Sequence, residues 1–364
     1  MAKKSRKVFI IAEAGKNFIQ SEGDRPVKEY LRLAKRLAKA AKEVGADAIK
    51  FQTHHLADEQ ADIKVIAPHF RGADRYSWVK RNELATPLED FWRPLKDYCD
   101  KIGIVFFSTP MSRGAAKILS QLNAKLWKVG SGDILDFVLL DYLAASHKPI
   151  IISSGMSSLK EIDLAMAFLQ SRKAKVTLMH CVSLYPCPPA KLNLKTITFF
   201  RRRYQLPVGY SSHSLEWQSA VGAVRLGAEV LEKHFSFSRD LWGSDHKASL
   251  TPPEMEKLVK KVRKSERQRI PLSKEDEQFI LEAMGAERKI LDQGETVFRP
   301  FFRKTLVAAL NIKKGEKITA EMLYAMRPQA YLKGWPSEKY EKVLGKTARR
   351  SLKKYAPITP EVLG

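Results

Sequence analysis

The chain is 364 residues long, 44% hydrophobic and 29% charged, enough to bury a large core with a small appendage and incompatible with a disordered chain. Lys and Arg number 64 against 40 Asp and Glu, a net charge of +24, so anionic partners or substrates are expected. No apolar run approaches the ~20 residues of a membrane span, and the short apolar stretch after the basic Met1–Lys7 reaches Glu13 without a small-residue cleavage site, so neither a membrane anchor nor a secretory signal is expected.

Three cysteines, Cys99, Cys181 and Cys187, form no C-x-x-C pair and no zinc spacing, which fits a reducing, cytoplasmic setting. The positive charge is spread widely: Arg303–Gly364 holds 14 Lys/Arg and 5 Asp/Glu, but neither a basic tail nor an aromatic-interleaved basic stripe stands out. A solvated basic surface on an enzyme is therefore expected rather than a nucleic-acid-binding protein.

From the N-terminus, short β-type runs alternate with helical patterns. Strands are expected at Val8–Ala12, Asp47–Phe51, Ile104–Phe107, Leu126–Val129, Pro149–Ile152, Val176–Met179, Pro207–Tyr210 and Glu229–Glu232. A helix is expected after each: Pro26–Val44, Leu88–Ile102, Ser112–Gln121, Asp136–Ser146, Ser158–Gln170, Asn193–Tyr204, Ser214–Leu226 and Pro252–Lys264. Eight β-α units with buried-type strands predict a (β/α)8 TIM barrel of α/β class over residues 1–284. An open doubly wound sheet would carry a G-x-G-x-x-G turn after its first strand, and none is present. The stretch His54–Asn82 is too long for an ordinary β-α loop and is expected to be functional or an interface arm. Residues 285–302, broken by Gly285, Gly294 and Pro300, read as a linker. Residues 303–364 read as a small β-rich domain, with a strand at Thr305–Leu310, a turn through Lys-Lys-Gly-Glu and a short helix at Ala320–Tyr324 capped by Thr319.

Barrel enzymes carry their reactive groups at the C-terminal strand ends, and here all eight ends are polar. In strand order they offer Glu13 and Asn17; Lys50, Gln52 and His54; Ser108 and Thr109; Lys128, Ser131 and Asp133. The second half offers Ser153 and Ser154; His180, Ser183 and Tyr185; Ser211, Ser212 and His213; then Glu232, His234 and Asp245. Lys50 and Lys128, with hydroxyls beside glycine turns, suit a phosphate or carboxylate. His213 and His234 come from adjacent strands, where two imidazoles can share a divalent metal and leave positions open for substrate and water. Glu13, Asp133 and Asp245 are available for proton transfer or for sugar hydroxyls. Residue chemistry alone leads to a metal-assisted barrel lyase or transferase acting on a phosphorylated anion.

A series of segments running in order through the barrel resembles the sialic acid synthase family, the phosphoenolpyruvate-dependent nonulosonic acid synthases. They include Ile10-Ile11-Ala12-Glu13-Ala14-Gly15, Ala48-Ile49-Lys50-Phe51-Gln52-Thr53, Phe107-Ser108-Thr109-Pro110 and Lys128-Val129-Gly130-Ser131-Gly132-Asp133. Ser153-Ser154-Gly155-Met156, Tyr185-Pro186, Tyr210-Ser211-Ser212-His213, Leu231-Glu232-Lys233-His234 and Gly243-Ser244-Asp245-His246 continue the series. Arg303-Lys304-Thr305-Leu306-Val307 through Leu344-Gly345-Lys346 resembles the antifreeze-like SAF domain that follows this barrel. The resemblance implies condensation of phosphoenolpyruvate with an open-chain N-acetylhexosamine, N-acetylmannosamine or a phosphorylated or di-N-acetylated relative, releasing phosphate. It implies Mn²⁺ or Mg²⁺ held by His213 and His234, and phosphoenolpyruvate held by Lys50, Thr109, Lys128, Ser131, Ser153 and Ser211. Glu13 and Asp133 become catalytic carboxylates, and Gln52, Tyr185, Asp245 and Arg327 sugar-binding residues. It further implies a domain-swapped homodimer in which Arg327 reaches the partner's barrel. A sister class, the 3-deoxy-ulosonate phosphate synthases, shares barrel and chemistry but lacks an SAF domain. The chain departs from the family where Asn17 is followed by Phe18-Ile19-Gln20 instead of His-(Asn/Glu)-Gly, and where Gln329–Trp335 replaces a Gly-x-Gly loop; both places lie on the sugar side.

Overall fold

A computed structural model describes residues 7–66, 74–266, 268 and 270–364. All eight expected barrel strands are present: β1 (Phe9–Gly15), β2 (Ala48–Thr53), β3 (Val105–Pro110), β4 (Trp127–Val129), β5 (Ile150–Ser153), β6 (Val176–Cys181), β7 (Val208–Ser212) and β8 (Val230–His234). They form one parallel sheet in the order β3-β2-β1-β8-β7-β6-β5-β4, whose two end strands meet to round off the barrel.

The helices form where expected because an apolar stripe and a local stop coincide. Val27–Glu43 buries Tyr30, Ala34, Leu37, Ala38 and Ala41 on one face, with lysines and arginines between them. Leu159–Ser171 starts at a capping box in which Ser158 and Glu161 satisfy each other's backbone N–H groups. The segment expected as one helix at Leu88–Ile102 begins with a π-turn, Leu88–Trp92, before Arg93–Ile102. A helix at Lys274–Met284, not anticipated, packs against Gln218–Arg225 and closes the outer layer.

The pleat positions the site. Ile11, Ala48, Phe107, Ile151, Met179 and Val230 form a separate buried cluster, distinct from the main core between barrel and helices. Side chains two residues apart on a strand face the same way. The next inward layer toward the C-terminal ends is therefore Glu13, Lys50, Thr109, Ser153, Cys181 and Glu232, all of which line one cavity. An apolar plug thus floors a polar chamber.

The C-terminal domain carries an antiparallel pair, β9 (Thr305–Ala308) and β10 (Leu323–Met326), with Leu323 opposite Ala308. The helix expected at Ala320–Tyr324 is a single 3₁₀ turn, Ala320–Met322, because pairing with β9 draws Leu323 onward into a strand. Among the described residues no helix is long and apolar enough to cross a membrane, and all three cysteines are free and buried.

Candidate active site

At the barrel mouth lies a cavity of about 350 Å³ that receives residues from all eight strand ends and from the C-terminal domain. At its floor, Lys50 Nζ is 2.6 Å from Glu13 Oε2 and 3.5 Å from Glu232 Oε1. Lys128 Nζ is 3.8 Å from the same Glu232 oxygen. The lysines donate to Thr109 Oγ1 at 3.0 Å and Ser153 Oγ at 2.7 Å, so the hydroxyls are held beside the charges. All these groups are buried, and burial is the largest influence on each. It pushes the Glu13 carboxyl above the usual carboxylate range and Lys128 below the usual lysine range. For Lys50 the flanking Glu13 and Glu232 outweigh burial and hold the ammonium above its ordinary value. For Glu232 the two lysines outweigh burial and hold the carboxylate low. Glu13 is the carboxyl better able to keep a proton.

Ser131 and Ser153 stand on the β4 and β5 side, where Gly155 makes room for Ser131. A Cβ on Gly155 would lie 2.3 Å from Ser183 Oγ, 2.6 Å from Ser131 Oγ and 3.2 Å from Cys181 Sγ. Only a glycine fits this cradle of hydroxyls and thiol. Ser211, at the end of β7, completes the lining.

In the same cavity the His213 and His234 ring centroids are 5.4 Å apart, and Tyr185 lies against His213 with centroids at 3.9 Å. Burial first and His234 second drive the His213 pKa well below the ordinary histidine value, so the ring is neutral at pH 7. His213 Nδ1 is 2.7 Å from the Val182 carbonyl; a neutral ring donates there and leaves Nε2 as a lone pair. His234 Nδ1 is buried without a hydrogen-bond partner. A second-row orientation by backbone and two free imidazole nitrogens fit a divalent cation. Among the described residues no group of three His, Cys, Asp or Glu is placed to hold one, so further ligands would come from water or substrate.

Gln52, Glu13 and Asp245 converge from three elements. Gln52 Nε2 donates to Glu13 Oε1 at 3.0 Å. A Cβ on Gly15, which has φ of +49°, would lie 3.2 Å from both Gln52 Nε2 and Asp245 Oδ2.

The C-terminal domain closes the mouth of its own chain's barrel. Arg327 is buried and ion-paired with Asp133, and Lys304 Nζ reaches the same Asp133 oxygen at 2.9 Å and Asp136 at 2.6 Å. The stretch His54–Asn82 meets this domain: Arg327 N donates to Glu59 O at 2.9 Å, and Ala61 N donates to Arg327 O at 2.9 Å. Part of that stretch, residues 67–73, lies outside the described residues. Within one chain, then, Arg327 reaches a cavity without a second subunit, whereas the resemblance implied delivery in trans.

Every residue assigned a role above lines this cavity, whereas the strand-end residues Asn17, Ser108, Ser154, His180 and Ser212 are buried outside its lining. Glu232 and His54, expected only as polar strand ends without a role, and Lys16 and Arg75, which were not anticipated, line the same cavity. Glu232 bridges the lysines, and pleat period two from His234 is the signal that could have found it. Residues 285–302 contribute Phe302, from the short turn Arg299–Phe302, and Phe298, which precedes that turn at its N-cap position; a second turn spans Gln293–Thr296. Its Glu295 is fully buried and accepts from the backbone N–H of Met156 at 2.8 Å and of Ser183 at 2.7 Å.

A parallel eight-stranded barrel with a buried Lys–Glu–Lys chamber and a histidine pair at its C-terminal mouth defines a strand-end barrel enzyme. Comparison with known proteins places it further. The NeuB family model matches residues 37–270 and the SAF domain model residues 303–363. The N,N'-diacetyllegionaminic acid synthase of Campylobacter jejuni is 34% identical, over 96% of this chain and 98% of that protein. Human N-acetylneuraminate-9-phosphate synthase is 34% identical, over 93% of this chain and 88% of that protein. The crystal structure of the spore coat polysaccharide biosynthesis protein SpsE of Bacillus subtilis superposes with a TM-score of 0.77 at 29% identity, covering 98% of this chain and 95% of that one. The chain belongs to the NeuB family and is an enzyme of the N-acetylneuraminate synthase type.

Proposed function

We propose that this enzyme condenses phosphoenolpyruvate with the open-chain aldehyde of an N-acetylated hexosamine, forming a nonulosonic acid and inorganic phosphate. The observation that carries the reading is the Lys50–Glu232–Lys128 bridge with hydroxyls on both lysines, a seat for a compact anion facing the histidine pair. Lys50, Lys128, Thr109, Ser131, Ser153 and Ser211 bind the phosphate and carboxylate. The enol C3 then attacks the aldehyde carbon, and Glu13, raised by burial, delivers a proton to the oxygen that becomes a hydroxyl. Water adds at C2 and phosphate leaves from that carbon. His213 and His234 would hold Mn²⁺ or Mg²⁺, which when bound supplies Lewis acidity toward the aldehyde.

Gln52, Tyr185 and Asp245 take the sugar hydroxyls, and Arg327, whose buried Nε has no partner, donates to the N-acetyl carbonyl. Asp133 is held by Arg327 and Lys304, so it acts on the water from a fixed position. A homodimer that exchanges SAF domains would make the same barrel contacts between chains. Buried free thiols support a cytoplasmic enzyme. The test is phosphate release with phosphoenolpyruvate and a panel of N-acetyl sugars. Release that needs both substrates and disappears in His213→Ala supports the reading; full release in His213→Ala overturns the histidine assignment.

A further inference from the structure

Lys16 follows β1 at the turn where Gly15 lets Gln52 and Asp245 converge. Its side chain is buried, lines the cavity, and its Nζ makes no hydrogen bond. It sits 5.7 Å from the ring centroids of both Phe18 and Trp92. The other cations lining the chamber each have a carboxylate within ion-pair distance: Lys50 and Lys128 have Glu232, Arg75 has Glu59, and Arg327 has Asp133. Lys16 has none among the described residues, and the residues outside that description include no Asp or Glu.

The nearest acids are already engaged. Glu59 is held by His54 at 2.7 Å and Arg75 at 3.4 Å, and Glu13 by Lys50 and Gln52. A buried ammonium without a counter-charge is unfavourable, and burial brings Lys16 down to about 7. The unmatched positive charge therefore stands at the turn after β1, on a different element from either lysine of the seat.

One further group bears on which anion fits. His54 Nδ1 is 2.7 Å from Glu59, so the neutral ring donates there; its Nε2, an acceptor, is buried, unpartnered and in the cavity lining. A phosphate monoester near neutral pH offers oxygens to an ammonium and, in its monoanion, a P–OH for an acceptor. A carboxylate offers no such donor.

We propose that Lys16 is a specificity-determining residue that binds a phosphate ester on the acceptor hexosamine, with His54 accepting from its P–OH. This rests on the condensation reading above and names its substrate class. With saturating phosphoenolpyruvate, KM is compared for N-acetylmannosamine, its 6-phosphate and N-acetylmannosaminuronate. The expected result is a KM for the 6-phosphate at least 10-fold below that for the other two. Lys16→Gln should raise the 6-phosphate KM at least 10-fold and leave kcat and the KM values for the free sugar and phosphoenolpyruvate within twofold. Lys16→Arg should retain the preference, and matching melting curves show the variants folded. Equal KM shifts for phosphorylated and free sugar, no wild-type preference, or a preference for the uronate would each overturn the assignment. Release with free sugar but without these differences sinks the Lys16 inference alone; no release with any sugar sinks the condensation reading and this inference with it.

Discussion

Arg327 of the C-terminal domain is ion-paired with Asp133 at the end of β4, and both side chains are almost wholly buried. Removing one partner of such a pair strands the other, a loss of about 3–5 kcal/mol when nothing else compensates. Here Lys304 also holds Asp133, at 2.9 Å, so the loss should fall below that range. Arg327→Ala is expected to lower the melting temperature by several degrees and raise the acceptor KM at least 10-fold. The phosphoenolpyruvate KM should stay within twofold, because the carboxylate that Lys50 and Lys128 share is Glu232 and neither lysine is paired with Asp133 or Arg327. Initial-rate kinetics in both substrates separate the effects; a rise confined to the phosphoenolpyruvate KM would contradict the placement.

Glu232 offers a sharper test of the chamber. Among the described residues it is the only carboxylate within ion-pair distance of both lysines. In Glu232→Gln the seat gains positive charge, so inorganic phosphate should inhibit at a concentration several-fold lower and the phosphoenolpyruvate KM should not rise. Turnover should fall at least 10-fold, since Lys128 loses its carboxylate and its geometry. Weaker phosphate inhibition would show that the lysines do not form the anion seat.

The cradle around Gly155 gives a third outcome. A methyl there overlaps Ser183 Oγ and Ser131 Oγ, and both hydroxyls must move to admit it. Gly155→Ala is expected to destabilise the protein by about 1–3 kcal/mol and to raise the phosphoenolpyruvate KM at least 10-fold, read by urea denaturation and kinetics. Unchanged affinity for phosphoenolpyruvate would remove Ser131 from its binding.

These residues also show how far the chain could be read without coordinates. The strand ends were legible because buried parallel strands are short apolar runs that stop at polar residues, and Glu13, Lys50, Lys128, His213 and His234 all follow such runs. Glu232 was visible as polar but not as a bridge, since only the closed barrel brings β2, β4 and β8 to one point. Lys16 sits outside strand periodicity, on the turn that carries Phe18, whereas His54 was legible as a polar strand end but its pairing with Glu59 was not. Residues 285–302 lack a helical period because each turn is four residues long and held by barrel groups such as the Met156 and Ser183 N–H, which no local pattern encodes.

Acid should weaken the sugar side before the seat. Burial lowers His54 to about 4 despite Glu59, and Glu59, held by His54 and the arginines against its own burial, lies at about 2. An unfolded chain takes up a proton on this histidine near pH 6.5, which the folded protein refuses until about pH 4, so stability falls as pH drops through that window. A further loss follows below about pH 4.5, where the unfolded Glu59 protonates first. The His54 step is of the order of 3 kcal/mol between pH 7 and 4. His54→Gln should flatten the urea midpoint over pH 6.5 to 4 while leaving the lower step; an unchanged slope would mean that His54 is protonated in the folded protein.

Glu295 ties the former linker to the barrel, and its two backbone partners lie at the ends of β5 and β6 beside the anion cradle. Glu295→Ala leaves two buried N–H groups without acceptors, at about 1–3 kcal/mol each. The strap from Gln293 to Phe302 should then detach locally, since its turns are too short to persist alone. Limited proteolysis is expected to cut Glu295→Ala within residues 285–302 at least 10-fold faster than the parent, with Glu295→Gln intermediate because its amide oxygen still accepts. Phe298 and Phe302 leave the cavity wall in the same event, so the acceptor KM should rise along with cleavage. A strap that stays resistant to protease while activity collapses would assign Glu295 to the Met156–Ser183 geometry of the seat rather than to closure of the mouth.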